Sequence, residues 1–216
     1  MCEIKRLDED IVVGKRRISL PGLKFMTAIG SGANGVVFQA HDIELNRPIA
    51  VKFWNSRGRS RSQEEISKLA RLSHPLFVSV HRFHFEEQVP IATMELVAGV
   101  SGKEWIRSNP AFDDRLEVWW RYSTAISDLH TMGMQHGDPH LGNVLIFDDE
   151  LGVQRAFDKT NDRPSKIRVK LADIGTSVFW RSHQDFEDRE KKLIIETGAK
   201  LLGSRPIDLV AIGASD

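Results

Sequence analysis

The segment 136–143, His-Gly-Asp-Pro-His-Leu-Gly-Asn, constrains this chain more than any other part of its sequence. It presents Asp138 and, five residues later, Asn143, directly before a predicted short strand. Asp173 stands thirty residues further on, at the end of another predicted strand and before a glycine. Mg²⁺ prefers hard oxygen ligands and keeps several waters, so Asn143 and Asp173, together with phosphate oxygens, would suit it. Asp138 would then orient an attacking hydroxyl and accept its proton.

Three glycines between two predicted strands are the second informative feature. They are spaced Gly-x-Gly-x-x-Gly, at Gly30, Gly32 and Gly35. A dinucleotide-binding fold needs this spacing between a strand and a helix, so the flanking strands exclude that fold. In a strand-turn-strand the backbone amides can close over phosphate groups, because no Cβ blocks their approach. The glycines alone fit a glycine-rich hairpin of any β-rich protein equally well.

A lysine and a glutamate follow the glycines. Lys52 ends the apolar run Ile-Ala-Val-Lys of the next predicted strand, and Glu65 lies in the predicted helix after it. Taken separately, such a lysine is usually an edge residue that reaches water, and such a glutamate is a cap or a solvated charge. Taken together, a lysine paired with a helix carboxylate would place a positive charge on phosphates held by the glycine segment.

The predicted secondary structure changes along the chain from strands to helices. The first half carries one helix, with Ile66, Leu69 and Leu72 on one face, and five strands, at 25–29, 36–41, 49–54, 76–85 and 89–96. The second half carries strands at 143–147 and 167–171, a last helix at 188–202, and a long amphipathic helix with Leu116, Trp119, Tyr122, Ile126 and Leu129 on its apolar face. This order indicates an α+β fold that changes character near residues 97–102.

Composition excludes several classes of protein. The 216 residues include 30 lysines and arginines and 30 aspartates and glutamates, so the net charge of zero gives no reason to expect a nucleic-acid partner. The single cysteine, Cys2, excludes an internal disulfide and a cysteine-based zinc site. No apolar run approaches the ~20 residues of a membrane helix, and the N-terminus lacks the apolar segment of a secretory signal. We therefore expect a cytoplasmic protein.

Together these motifs resemble the protein-kinase-like superfamily over residues 23–203. Segment 30–37 resembles the glycine loop of that family, 49–52 its Val-Ala-Ile-Lys strand, and 65–69 the helix that bears the ion-pair glutamate. Segment 94–97 resembles the gatekeeper and hinge, 136–143 the catalytic loop, and 173–175 the Asp-Phe-Gly turn.

The resemblance implies a bilobal α+β fold, with a five-stranded sheet and one helix in an N-lobe at 1–97 and a shortened, mostly helical C-lobe at 98–216. It implies transfer of the γ-phosphate of ATP, with Mg²⁺, to a hydroxyl of a protein substrate, as in serine/threonine kinases. Asp138, Lys52 and His140 would be catalytic, and Asn143 and Asp173 would bind Mg²⁺. The nucleotide would contact Gly30, Gly32, Gly35, Val37, Ala50, Lys52, Glu65, Glu95 and Val97.

Two residues of the loop depart from the protein-kinase pattern. Gly137 replaces the arginine that usually precedes the catalytic aspartate, so we do not expect activation by loop phosphorylation. His140 stands where protein kinases carry a lysine that contacts the transferred phosphate. The pattern His-Gly-Asp-x-His-x-x-Asn is closer to phosphotransferases that act on aminoglycosides and choline. A kinase for a small hydroxyl-bearing acceptor therefore stays an alternative, and the short region after Gly175 keeps an ATP-binding pseudokinase open as well.

Overall fold

The computed structural model describes residues 4–56, 58, 59, 62, 66–68, 72, 74–148, 166–174 and 183–203. Contacts within the chain divide it into two compact units, unit 1 with residues 1–74 and 78–97, and unit 2 with residues 75–77 and 98–216. Glu65, Leu69 and Gly175, which the sequence analysis names, lie outside the described residues.

Two antiparallel sheets lie in the described part of unit 1. The first has three strands in the order β1 (Ile4–Leu7), β2 (Asp10–Val13) and β3 (Arg16–Ile18). The second is built from β4 (Leu23–Ser31), β5 (Gly35–Asp42), β6 (Arg47–Trp54), β7 (Val80–Glu86) and β8 (Val89–Glu95), in the spatial order β4-β5-β6-β8-β7. The predicted five-stranded sheet is confirmed.

Strand β6 lies in the middle of the five-stranded sheet, and its alternate side chains point to opposite faces. On one face Ile49, Val51 and Phe53 are at most 1% exposed. They belong to a core cluster with Phe25 and Phe38, and the three phenylalanine rings pack with centroids 5.7–6.2 Å apart. The close packing of these apolar side chains stabilises the sheet.

The three-stranded sheet supplies further side chains to the same core cluster. Ile11, Val13 and Ile18 are at most 4% exposed and pack in it with the five-stranded sheet. The sequence analysis did not predict β1, β2 or β3. Strands of three or four residues joined by tight turns carry too short an alternation for the pattern to stand out from irregular chain.

The predicted strand 76–85 is wrong in its first part, because β7 begins only at Val80. Phe77 instead forms an isolated bridge with Leu171, and the N–H of Leu171 donates to the carbonyl of Leu76 at 2.8 Å. Both contacts lie within unit 2. A continuous apolar run predicts burial, but it does not say which sheet the run will join.

The described part of unit 2 combines three α-helices with a small sheet. The helices are α1 (Gly102–Trp105), α2 (Phe112–Thr131) and α3 (His183–Leu202). The strands are β9 (Val100–Ser101), β10 (Val144–Asp148) and β11 (Ile167–Leu171), in the order β11-β10-β9. The α+β class is confirmed, and the last helix begins five residues earlier than predicted.

Helix α2 buries most of its predicted apolar face. Trp119, Tyr122, Ile126 and Leu129 are at most 5% exposed, but the prediction is wrong for Leu116, which is 44% exposed in the first half of the helix.

None of the helices in the described part of the chain combines the length and the apolar character needed to cross a membrane.

The packing of β2 against the core predicts the effect of truncating one side chain. Ile11→Ala should lower the free energy of unfolding by about 2–4 kcal/mol, because it removes a fully buried side chain and leaves a cavity. Leu7→Ala in β1 is the control, since Leu7 is 45% exposed and its loss should have little effect. Urea unfolding of both variants measures the difference, and equal losses would contradict the packing.

Candidate active site

Several predicted nucleotide-binding residues lie side by side on the five-stranded sheet of unit 1. Val37 of β5 is directly opposite Lys52 of β6, and Gly30 of β4 is directly opposite Val37. Ala50 lies two residues before Lys52 and therefore on the same face. Directly opposite residues share a face, so Val37, Ala50 and Lys52 form one patch on the side away from the phenylalanine cluster.

The side chain of Lys52 is buried. It is 4% exposed, and Nζ lies 4.9 Å from the centroid of the Trp54 ring. Strand β6 has a neighbour on each side, so the alternative of an edge lysine that reaches water is excluded. The Trp54 ring therefore packs beside the amino group of Lys52. The pairing of Lys52 with Glu65 stays a prediction, because Glu65 lies outside the described residues.

The three glycines of the loop differ in the space around them. A Cβ at Gly35 would run into the carbonyl oxygen of Phe53, so the β5–β6 pair itself needs a glycine there. At Gly32 no atom of the described residues would lie within 4 Å of a Cβ, and at Gly30 the nearest would be the side chain of Val37 at an ordinary 3.8 Å. The N–H of Gly32 donates to the carbonyl of Gly35 at 3.0 Å and closes the turn. Gly32 therefore leaves open space where a ligand can approach the backbone, whereas a side chain at Gly30 would contact Val37.

Glu95 and Val97, the predicted hinge residues, lie at and after the end of β8. The carboxylate of Glu95 accepts a hydrogen bond from the N–H of Ser79 at 2.7 Å, and the N–H of Glu95 donates to the carbonyl of Ser79 at 3.0 Å. Val97 is half-buried. The side chain of Glu95 therefore holds the chain ahead of β7, and adenine recognition by its backbone stays a prediction.

In unit 2, Asn143 and Asp173 lie next to each other at one end of the β10–β11 pair. These strands are antiparallel, with Val144 opposite Leu171. The N–H of Ala172 donates to the carbonyl of Asn143 at 2.9 Å, which extends the pairing by one residue beyond the strands. Asp173 follows Ala172 directly. The structure thus places Asp173 one residue after the backbone partner of Asn143.

The chemistry of these two side chains fits Mg²⁺. The amide Nδ2 of Asn143 donates to the carbonyl of Asp138 at 2.9 Å, which leaves the amide oxygen as the end that can coordinate a cation. Asp173 has a φ of 58°, a conformation that few non-glycine residues adopt and that concentrates at functional sites. One amide oxygen and one carboxylate suit a cation that keeps water and phosphate oxygens as its other ligands. Among the described residues there is no cluster of three or more His, Cys, Asp or Glu that would hold a metal.

The carboxylate of Asp138 has a positively charged or protonatable group at each oxygen. Nε2 of His140 lies 3.4 Å from Oδ2, and Nη2 of Arg189 on α3 lies 3.4 Å from Oδ1. Burial alone would raise the pKa of Asp138, but His140 and Arg189 together hold it below its ordinary value. Asp138 is therefore a carboxylate near neutral pH, as a proton acceptor must be.

His140 is oriented by the turn that follows it. The N–H of Gly142 donates to Nδ1 of His140 at 2.9 Å, so in the neutral ring the proton is on Nε2, which faces Asp138. The hydrogen bond to Asp138 raises the pKa of His140, and burial opposes this effect. The Nε2 atom of the His140 imidazole therefore faces the Asp138 carboxylate.

Glu190 on α3 holds the backbone of the loop, and the sequence analysis did not predict this role. Its side chain is 2% exposed. Oε2 accepts a hydrogen bond from the N–H of Gly137 at 2.7 Å, and Oε1 accepts from the N–H of His136 at 3.2 Å and from Nε2 of His130 at 2.8 Å. Burial alone would raise the pKa of Glu190, but these donors hold it below its ordinary value.

The backbone conformation of Gly137 favours glycine at the position where the kinase pattern has an arginine. Its φ is 86°, a conformation that strains any residue with a Cβ. Its N–H is also the closest hydrogen-bond donor to Glu190, at 2.7 Å. Glycine at this position therefore lets the chain turn into Asp138 without strain.

The loop is fixed from two further directions. The hydroxyl of Tyr122 on α2 donates to the carbonyl of Pro139 at 2.6 Å, and the hydroxyl of Thr197 on α3 donates to the same oxygen at 3.2 Å. His136 is fully buried, its Nδ1 accepts from the N–H of Asp138 at 3.4 Å, and burial lowers its pKa. Asp138 therefore sits on a backbone with little freedom to move.

The family pattern described as the protein kinase domain matches residues 23–193. Among curated proteins, the probable serine/threonine-protein kinase zyg-1 of Caenorhabditis briggsae is 26% identical over 172 residues, or 79% of this chain. Among solved structures, the PknI kinase domain of Mycobacterium tuberculosis has a TM-score of 0.63 at 18% identity, with 88% of this chain and 78% of that chain covered. Rad53 1-466 in complex with AMP-PNP has a TM-score of 0.59 at 22% identity, with 84% of this chain and 46% of that chain covered.

These likenesses differ in what they cover. The match to the curated relative spans only 22% of that protein's length. The two solved structures are less than 25% identical to this chain, so they support the fold alone.

The space around the glycines predicts that two substitutions affect different properties, one the stability of the protein and the other its binding of ATP. Gly35→Ala should lower the free energy of unfolding by about 1–3 kcal/mol, because the new Cβ meets the backbone of β6. Gly32→Ala should leave stability unchanged and weaken ATP binding about tenfold, or about 1.4 kcal/mol, if backbone contact with phosphate is lost. Thermal unfolding and calorimetric titration with ATP check both, and normal ATP binding by Gly32→Ala would contradict the phosphate contact.

The hydrogen bonds of Glu190 predict a loss of stability when its charge is removed. Glu190→Gln replaces one acceptor oxygen by a donor group that faces N–H groups, so the free energy of unfolding should fall by about 1–3 kcal/mol. The exposed Asp188, two residues earlier on α3, supplies the control Asp188→Asn.

The effect of Glu190→Gln on the free energy of unfolding should depend on pH. Because the folded-state pKa of Glu190 is depressed, its contribution to stability is fully present above the ordinary pKa of a glutamate and is lost as the pH falls through the folded-state pKa. The difference in unfolding free energy between wild type and Glu190→Gln should therefore narrow on acidification. A difference that stays constant would contradict the assignment.

Proposed function

The chain belongs to the protein kinase domain family, and we propose that it is an ATP- and Mg²⁺-dependent protein serine/threonine kinase. One observation carries this proposal. The carboxylate of Asp138 stands in the same anchored loop as Asn143, whose backbone is bonded to the residue before Asp173. A proton acceptor and two oxygen ligands in one rigid unit are what phosphoryl transfer with a metal requires.

The two units have different roles in this proposal. Residues 1–97 act as the nucleotide-binding lobe. Gly30, Gly32 and the buried Lys52 bind the phosphates of ATP. Its adenine ring contacts Val37, Ala50 and the backbone of residues 95–97. Residues 98–216 act as the catalytic lobe. The open space at Gly32 and the burial of Lys52 support the first role. Glu65 is proposed to position Lys52.

The proposed reaction is a direct transfer to a hydroxyl. The acceptor oxygen forms a bond to the γ-phosphorus, the bond from that phosphorus to the bridging oxygen breaks, and ADP leaves with the electron pair. Asp138 takes the proton of the hydroxyl. Mg²⁺, held by Asn143 and Asp173, would neutralise charge on the phosphate oxygens. His140 touches Asp138 and would lie beside the transferred phosphate.

A small-molecule kinase is the second candidate, and His140 is the observation that favours it. The imidazole faces Asp138 where protein kinases carry a lysine. Transfer to a small cationic alcohol uses the same base and the same metal ligands, so only the acceptor distinguishes the two candidates. The cytoplasmic location stays a prediction.

Asp138→Asn tests the proposed base. With γ-labelled ATP, Mg²⁺ and a generic basic protein as acceptor, the variant should lose ~10²–10⁴-fold in transfer rate, because an amide cannot accept the proton. ATP binding, measured by calorimetry, should stay close to that of wild type. Asp148→Asn is the matched control, since Asp148 is an exposed carboxylate at the end of β10 and should be as active as wild type.

The outcomes separate the candidates. Label on the protein that is lost in Asp138→Asn supports a protein kinase. Label only on a small acceptor such as an aminoglycoside or choline supports the second candidate. ATP binding without transfer to either acceptor supports a pseudokinase and overturns the proposal.

A further inference from the structure

Helix α3 brings a guanidinium group to the catalytic loop. Nη2 of Arg189 lies 3.4 Å from Oδ1 of Asp138, while Nε2 of His140 lies 3.4 Å from Oδ2. Each carboxylate oxygen therefore has its own donor, from a different part of the chain. Both donors are at the long end of hydrogen-bond geometry and are 42% exposed, so the carboxylate is oriented without being sealed from a substrate.

The loop itself carries no permanent positive charge. Segment 136–143 contains no lysine or arginine, with Gly137 where kinases have an arginine and His140 where they have a lysine. A guanidinium group carries a positive charge and can donate through several N–H groups in a planar fork. Arg189 thus supplies, from a distant part of the sequence, a cation that the loop lacks.

The position of Arg189 is set by its neighbour. Glu190, the next residue on α3, is buried and bonded to the backbone N–H groups of His136 and Gly137. That anchor fixes the helix backbone one residue away from Arg189, so the guanidinium reaches Asp138 from a rigid base. An exposed ion pair on a mobile surface would lack this constraint.

We propose that Arg189 is a positioning residue, which together with His140 holds the Asp138 carboxylate in the orientation that receives the proton of the acceptor hydroxyl. This inference rests on the proposed phosphoryl transfer. Arg189 acts through Asp138 and not on the nucleotide. Its loss therefore affects kcat and leaves the affinity for ATP as it is.

Kinetic constants of Arg189 variants test the proposal. Arg189→Ala should lower kcat about 10- to 100-fold, because a misaligned catalytic group costs that much in rate. KM for ATP and the unfolding temperature should match wild type. Arg189→Lys should recover part of kcat through one charged donor, whereas Arg189→Gln should not. The matched control is Lys192→Ala, which removes an exposed cation three residues further along α3 and should behave as wild type.

Three results would overturn the inference. The first is a kcat within twofold of wild type for Arg189→Ala in a preparation where Asp138→Asn is inactive. The second is a raised KM for ATP with kcat unchanged, which would assign Arg189 to nucleotide binding. The third is an equal loss in Lys192→Ala, which would indicate a general effect of surface charge. Wild-type protein that transfers phosphate to no acceptor would instead overturn the proposed function, and with it the reaction that this inference needs.

Discussion

A buried carboxylate on the last helix holds the loop on which the candidate chemistry depends. Glu190 accepts hydrogen bonds from the N–H groups of His136 and Gly137 and from the His130 ring. An ionised group in the interior is tolerated only when such donors surround it, so the helix, the loop and α2 constrain one another. Asp138 is the residue directly after this anchor, and its orientation follows from it.

The two faces of strand β6 have different surroundings in unit 1. Ile49, Val51 and Phe53 join the apolar cluster to which the N-terminal strands contribute, while Ala50 and Lys52 lie on the opposite face. Because side chains alternate along a strand, one short segment can stabilise the sheet and supply a charge at the same time. On its face of the strand, Nζ of Lys52 lies 4.9 Å from the centroid of the Trp54 ring.

The two residues of the loop that depart from the kinase pattern each fit their surroundings, and a residue of α3 adds a third contact. The left-handed backbone at Gly137 suits a residue without Cβ. The ring of His140 is fixed between the N–H of Gly142 and the Asp138 carboxylate. Arg189 on α3 brings a positive charge to the other oxygen of that carboxylate. The loop therefore keeps a defined geometry with residues that the family pattern does not contain.

The sequence by itself determined the α+β class and the five-stranded sheet. It also determined where Asp138, Asn143, Lys52 and the glycines lie relative to the strands. These depend on patterns over a few neighbouring residues, such as alternation in strands and the position of a polar residue at a strand end. The roles of Glu190 and Arg189 were decided only by the tertiary structure. They lie 51 or more residues from the atoms they contact, in a charged stretch typical of a solvated helix face. The strands β1–β3 were also found only there, because burial against a distant sheet gives such short segments their stability.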